Sequence, residues 1–91
     1  MGYEIDFSGK FKKDVKRCQK RGYNMPSLDK AMLLLRTSGK LPAKYSTHRL
    51  SGDYNGFLEC HIKPDWLLIW KQDDIKKEIY LDRTGTHSDL F

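Results

Sequence analysis

The hydrophobic period changes once, near the middle of the chain, and that change restricts the fold more than any other feature. Residues 3–7, Tyr3-Glu4-Ile5-Asp6-Phe7, alternate apolar and acidic, the period of a half-buried strand. Ser8 then fits a helix N-cap, and from Gly9 to Arg21 the residues Phe11, Val15 and Cys18 form one helical stripe, with Gly22 suited to end it. Pro26-Ser27 opens a second helix, with Ser27 as cap and Asp29 in the first turn. Leu28, Met32 and Leu35, widened by Ala31, give its stripe, and Gly39 closes it. Leu41 to Asp53 reads as loop, broken by Pro42 and Gly52. Beyond it the period is that of strands. Phe57 to Ile62, entered through Asn55-Gly56, is the first, and Lys63-Pro64-Asp65 turns the chain. Trp66 to Lys71 is apolar enough to lie at the centre of a sheet. After a turn at Gln72-Asp73-Asp74, Ile75 to Arg83 is a third strand with Ile79 and Leu81 on one face. Thr84-Gly85-Thr86 ends it, and a short tail runs to Phe91. The order predicts an α+β fold: a small, mostly antiparallel sheet with two helices packed on one face.

The chain has 91 residues, the size of one domain over 1–91. A chain of this length buries about 60–65% of the surface its unfolded form exposes, so the core is small. The apolar class is 38% and the aromatic class 12%, enough to exclude a disordered chain. The longest nearly apolar run, Trp66 to Trp70, is far shorter than the ~20 residues that cross a bilayer. Met1 to Phe7 carries two acids and no apolar stretch of the signal-peptide kind, so the expected compartment is the cytoplasm. A formal charge of +5 favours an anionic partner. Much of it lies on the first helix, at Lys10, Lys12, Lys13, Lys16, Arg17, Lys20 and Arg21, a pattern that fits a solvated face or a binding ridge. Cys18 and Cys60 have no metal or redox spacing and read as small core residues.

All three histidines, His48, His61 and His87, lie in the second half, in loops or at strand ends. Asp65 follows His61 by four residues across the Lys63-Pro64 turn, and Arg83 precedes His87 by four. Strand ends converge in a small sheet, so one cleft is able to collect these groups. The set suits cleavage of RNA through its own 2′-hydroxyl. That reaction needs a base for the hydroxyl, an acid for the departing 5′-oxygen and a cation for the phosphorane. Imidazoles titrate near neutrality and serve as acid and base, and a guanidinium clamps phosphate oxygens with two bonds. No HExxH helix and no Cys/His finger spacing occurs, so no metal site and no cofactor is expected. Trp66 and Trp70 read as core anchors.

Three stretches carry a resemblance. They are His48-Arg49-Leu50-Ser51-Gly52, the run Glu59-Cys60-His61-Ile62-Lys63-Pro64-Asp65-Trp66-Leu67-Leu68-Ile69, and Arg83-Thr84-Gly85-Thr86-His87-Ser88-Asp89-Leu90-Phe91. They resemble the YafQ family of bacterial toxins, in the RelE/ParE superfamily of type II toxin–antitoxin systems, and the likeness covers essentially the whole chain. It implies a RelE-like β-α-α-β-β-β fold and a ribosome-dependent, metal-independent endoribonuclease that cuts the codon in the ribosomal A site and so stops translation. It implies a cognate antitoxin with a ribbon-helix-helix DNA-binding end, and contact with operator DNA only through that complex.

Carried over residue by residue, the resemblance assigns His48, His61, Asp65, Arg83 and His87 to catalysis, with His87 a main acid/base group and Arg83 on the scissile phosphate. His61 and Asp65 remain alternatives for the general base. Phe91 matches an aromatic near the substrate base, and Trp66 a position that supports the site; both join Arg83 as substrate-binding residues. Leu58 departs from relatives that often carry an arginine there. The competing readings are a non-catalytic RNA- or ribosome-binding module, a ParE-like gyrase inhibitor, and a degenerate toxin kept only as antitoxin partner. None of the three requires this set of histidines with Asp65.

Overall fold

A computed structural model describes residues 2–91. Strand β1 (Glu4–Phe7) leads into helix α1 (Gly9–Lys20) and helix α2 (Met25–Ser38). A short strand β2 (His48–Arg49) precedes the meander β3 (Leu58–Lys63), β4 (Trp66–Asp73) and β5 (Glu78–Gly85), and a single helical turn α3 (His87–Leu90) ends the chain. The sheet order is β1-β5-β4-β3-β2, antiparallel except that β1 runs parallel to β5. The α+β architecture expected from the change of period is the one observed.

Burial explains the apolar run of β4. Trp66 to Trp70 are all buried because both faces of this central strand are covered. Trp66, Leu68 and Trp70 join Phe11, Cys18, Leu28, Ala31 and Leu35 of the helices in the main core. Leu67 and Ile69 point the other way, into a smaller cluster with Leu90, Leu50, Tyr54 and Phe57. Cys18 and Cys60 are free, buried thiols; burial pushes the Cys60 thiol up to about 12.

Several boundaries differ from the sequence reading, each for a local reason. Helix α2 begins at Met25 after Asn24, so Ser27 lies inside the first turn and is not the cap. Pro26 is tolerated there because first-turn N–H groups have no intrahelical acceptor. Ser8 does cap α1, accepting from the Phe11 N–H at 2.8 Å while donating to the Asp82 carbonyl at 2.6 Å. The 41–53 segment is no simple loop: it holds a 3₁₀ turn (Ala43–Tyr45) and β2, whose two residues pair with Glu59 and Leu58. A second 3₁₀ turn (Gly52–Tyr54) straddles its end. Ile75 is 95% exposed and sits in the β4–β5 turn, where the Asp73 carboxylate accepts from the N–H groups of Ile75 and Lys76. Strand β5 therefore starts later and runs through Thr84 and Gly85, which pair with Leu68 and Leu67. The short tail is the helical turn α3, closed by a reciprocal cap between Thr86 and Asp89.

One irregularity matters for the site. Trp70 pairs with Leu81, yet its neighbour Ile69 pairs with Arg83, leaving Asp82 as an extra residue in β5. Such a bulge reverses the in–out alternation beyond it. Without it Arg83 would share the helix-covered face with Ile79 and Leu81. With it, Arg83 lies alongside Ile69 on the opposite face.

Candidate active site

The face of the sheet away from α1 and α2 collects the histidines. Across it, Arg83, Ile69, Glu59 and His48 are successive cross-strand partners, and His61 pairs with Leu67 in the next row. The His48 and His61 rings lie 6.3 Å apart, and those of His61 and His87 lie 6.0 Å apart. Asp65 joins them from the β3–β4 turn: its Oδ1 accepts from the His87 backbone N–H at 3.0 Å and from His87 Nδ1 at 2.7 Å. His48, His61, Asp65 and His87 thus lie in one group, on an open, solvent-exposed surface.

Each imidazole is oriented by an acceptor. His48 Nδ1 faces the Ser46 carbonyl at 3.1 Å, and His61 Nδ1 faces the Pro64 carbonyl at 3.2 Å. A carbonyl only accepts, so both Nδ1 atoms carry the proton and both Nε2 atoms are presented to the site. His87 is set in the same way by Asp65. Its backbone N–H and then its ring N–H, both donated to the carboxylate, hold the Asp65 carboxyl below the usual carboxylate range. Asp65 is therefore an ionised orienting group for His87 at neutral pH, which makes it a poor proton acceptor.

Glu59 is the residue the sequence reading missed. Its carboxylate is only 5% exposed, with Oε1 at 3.1 Å from His48 Nε2 and 4.0 Å from His61 Nε2. The signal was there: an acidic residue in an otherwise apolar strand, two places from His61. Its significance depends on the pairing of β2 with β3, and a two-residue strand inside a Pro- and Gly-broken segment shows no period. Tyr54 was also missed. It stands edge-on to Phe57 and to Phe91, each at 5.6 Å between ring centroids, and Phe91 in turn lies 6.5 Å from the His87 ring. The three rings form an aromatic shelf beside the imidazoles.

Arg83 reaches this face but is not free. Its Nε and Nη2 donate to Asp14 of α1 at 2.7 and 3.2 Å, and its side chain is 17% exposed. Asp14 is wholly buried and also accepts from the Thr84 N–H at 3.1 Å. The register explains this. Strand β1 pairs with β5 only up to Leu81, so beyond that point the edge of β5 lacks a strand partner and a helix carboxylate takes its place. The Asp14 carboxylate, which accepts these bonds, raises the Arg83 pKa further, and the nearby Tyr54 phenol adds to the effect. Asp14 occupies the Nε–Nη2 edge of the guanidinium, so the outer Nη1–Nη2 edge is the one Arg83 has to offer the site.

Trp66 is a correction. Its side chain is buried on the helix-covered face, its Nε1 donating to Thr84 Oγ1 at 2.9 Å and its ring edge-on to Tyr23 at 4.8 Å. It has no surface to offer a substrate; through Thr84, whose hydroxyl donates to the Leu67 carbonyl at 2.7 Å, it ties β4 to β5 beneath the site. The basic face of α1 divides similarly. Arg21 donates to both carboxylate oxygens of Asp89 at 2.6 and 3.0 Å, holding α3 and with it His87 and Phe91, while Lys10, Lys12, Lys13, Lys16 and Lys20 stay exposed.

Comparison with known proteins bears on the family and the fold. The family of bacterial toxins of type II toxin–antitoxin systems, YafQ, matches residues 3–91. The mRNA interferase toxin YafQ of Escherichia coli K12 is 44% identical over 97% of this chain and 95% of its own. In the crystal structure of the E. coli DinJ–YafQ toxin–antitoxin complex, one chain is 42% identical and superposes with a TM-score of 0.90, covering 100% of this chain and 99% of that one. A metal-bound toxin from Helicobacter pylori is 39% identical, with a TM-score of 0.87 over 98% of this chain and 99% of that one. Full-length sequence and fold similarity place this chain in the YafQ family of bacterial type II toxins.

Proposed function

We propose that this chain, an mRNA interferase toxin of the YafQ family, cuts messenger RNA in the ribosomal A site by attack of the RNA's own 2′-hydroxyl. The observation that carries the reading is the set of three carbonyl- or carboxylate-oriented imidazoles on one open face, with neighbouring ring centroids 6.0 and 6.3 Å apart. His61 takes the 2′-hydroxyl proton at Nε2, and the imidazolium so formed is stabilised by the Glu59 carboxylate. His48 shares that role or orients the substrate. His87, set by Asp65, gives its proton to the departing 5′-oxygen. The free edge of Arg83 meets a phosphate oxygen, and Phe91, backed by Tyr54, stacks on a base. The products are a 2′,3′-cyclic phosphate, or the 3′-phosphate it hydrolyses to, and a 5′-hydroxyl. No step requires a metal ion. Between His61 and Asp65 as base, the hydrogen bonding of Asp65 to His87 favours His61.

A cognate antitoxin, of the ribbon-helix-helix type, restrains the toxin and brings it to operator DNA, and the work takes place in the cytoplasm. Mapping of mRNA ends, with and without translating ribosomes, tests the reading. A chelator selective for transition metals leaves ribosomal Mg²⁺ in place. Cuts inside A-site codons that need ribosomes, persist with chelator and fall about 10²–10⁴-fold in His87→Gln are expected. Translation arrest without new RNA ends would replace the nuclease by a non-catalytic ribosome-binding module.

A further inference from the structure

Beyond Glu59 the outer edge of β3 has no strand beside it, because β2 pairs only with Leu58 and Glu59. The 3₁₀ turn Ala43–Tyr45 and the first turns of α2 stand off from that edge and leave a cleft of about 360 Å³. Ser27, Lys30, Lys44, Tyr45, His61 and Lys63 line it, so its three ammonium groups come from three separate elements. Lys44 Nζ lies 5.6 Å from the centre of the Tyr45 ring, which is itself buried. No acidic side chain lines the cleft, and among the described residues none of the three lysines forms an ion pair. Asp29, next to Lys30 in the chain, lines the opposite groove with Phe7 and Met32. Like charges gathered without a counter-charge repel one another, and a bound anion removes that repulsion.

The cleft has a fixed place relative to the imidazoles. At the level of His61 the order across the sheet is Gly85 of β5, Leu67 of β4, His61 of β3 and then the cleft. His87 follows Gly85 by two residues, so His87 and the cleft stand to either side of His61. In the reaction proposed above, His61 serves the 2′-hydroxyl and His87 the 5′-oxygen of the next nucleotide. The strand therefore runs 5′ to 3′ from His61 towards His87, and the phosphate on the 5′ side of the attacking nucleotide is directed to the cleft.

We propose that Lys30, Lys44 and Lys63, with the Ser27 hydroxyl, bind the RNA backbone phosphate one nucleotide upstream of the scissile one. Lysine meets phosphate as a mobile point charge, and a hydroxyl adds a hydrogen bond. Held on its 5′ side, the strand presents its 2′-hydroxyl to His61. That placement rests on the nuclease reading above, whereas anion binding in the cleft does not, and two measurements keep them apart. In the first, the full chain is titrated by NMR with adenosine 3′,5′-bisphosphate and with adenosine 3′-monophosphate. The second phosphate should tighten binding at least fivefold and shift the backbone signals of Lys44 and Lys63. The gain should vanish when Lys30→Gln, Lys44→Gln and Lys63→Gln are combined. It should survive when Lys71→Gln, Lys76→Gln and Lys77→Gln are combined, which removes the same charge in and beside the β4–β5 turn. No gain in the wild type, or an equal gain without the three cleft lysines, overturns the site. In the second measurement, programmed ribosomes carry mRNA with a neutral methylphosphonate one linkage upstream or one linkage downstream of the cut. The upstream change should slow single-turnover cleavage by the wild type at least tenfold and cause no further slowing once the cleft lysines are gone. The effect should be the same for different codons, because a backbone phosphate carries no base identity. The same coupling at the downstream linkage reverses the strand and overturns the assignment. Absence of any cleavage refutes the nuclease reading instead, and the bisphosphate titration still decides the cleft.

Discussion

Replacing Asp14 by alanine should separate what holds Arg83 from what Arg83 does. The carboxylate is completely buried and accepts from Arg83 Nε, Arg83 Nη2 and the Thr84 N–H, with Arg17 Nη1 at 3.3 Å. Its loss strands a guanidinium that is 17% exposed and leaves a buried backbone donor without an acceptor. Removing one partner of a buried ion pair costs about 3–5 kcal/mol. Arg83 reaches some solvent, which pulls the estimate to about 3 kcal/mol, and that figure already includes the stranded N–H at about 1–3 kcal/mol. Against a total stability of about 5–15 kcal/mol the effect is large but survivable. Urea unfolding should show a lower midpoint with an unchanged slope. Asparagine keeps an acceptor for the Thr84 N–H and should cost less than alanine. A double-mutant cycle with Arg83→Ala should return a coupling of about 2 kcal/mol or more. An Asp14→Ala midpoint equivalent to less than about 0.5 kcal/mol would refute the argument, since changes of that size are ordinary for exposed sites.

Other outcomes follow from the tail and the sheet. Arg21 holds the Asp89 carboxyl well below its ordinary value of 3.8, so its stabilising effect is complete above that value and is lost only as pH falls through the depressed one. The stability gap between wild type and Asp89→Asn should therefore persist in melts at pH 3 and close under stronger acid; a gap already closed at pH 4 contradicts the Arg21 tether. Gly85→Ala should loosen α3 and lower cleavage with little loss of core stability. At φ +153° a Cβ there would sit 2.8 Å from Asp89 Oδ2, and the check is faster amide exchange confined to residues 86–91. Gly39→Ala should destabilise the fold by roughly 1–3 kcal/mol, from a left-handed φ of 69° and a Cβ 2.5 Å from the Tyr3 ring. Thermal unfolding measures that cost, and cleavage per folded molecule should stay unchanged.

The amino-acid order by itself determined the order of β1, the two long helices and the three-strand meander, because hydrophobic period is a local property: helical stripes, the central position of β4, the Ser8 cap and the buried cysteines follow from neighbours in the chain. Residue types and spacing marked the imidazoles, Asp65 and Arg83 as a candidate set, and the family motifs added a role for Phe91. Tertiary structure alone decided what those groups face. The bulge at Asp82 turns Arg83 to the histidine-bearing face, and the early end of β1 makes Asp14 its partner. The pairing of His48 with Glu59 needs a two-residue strand too short to show a period. Trp66 and His61 stand five residues apart in one apolar hairpin, and only the covering of one sheet face by the helices buries the first while the second stays partly open. Contacts of this kind join residues 11 to 70 positions apart, and their energies depend on geometry that local sequence does not encode.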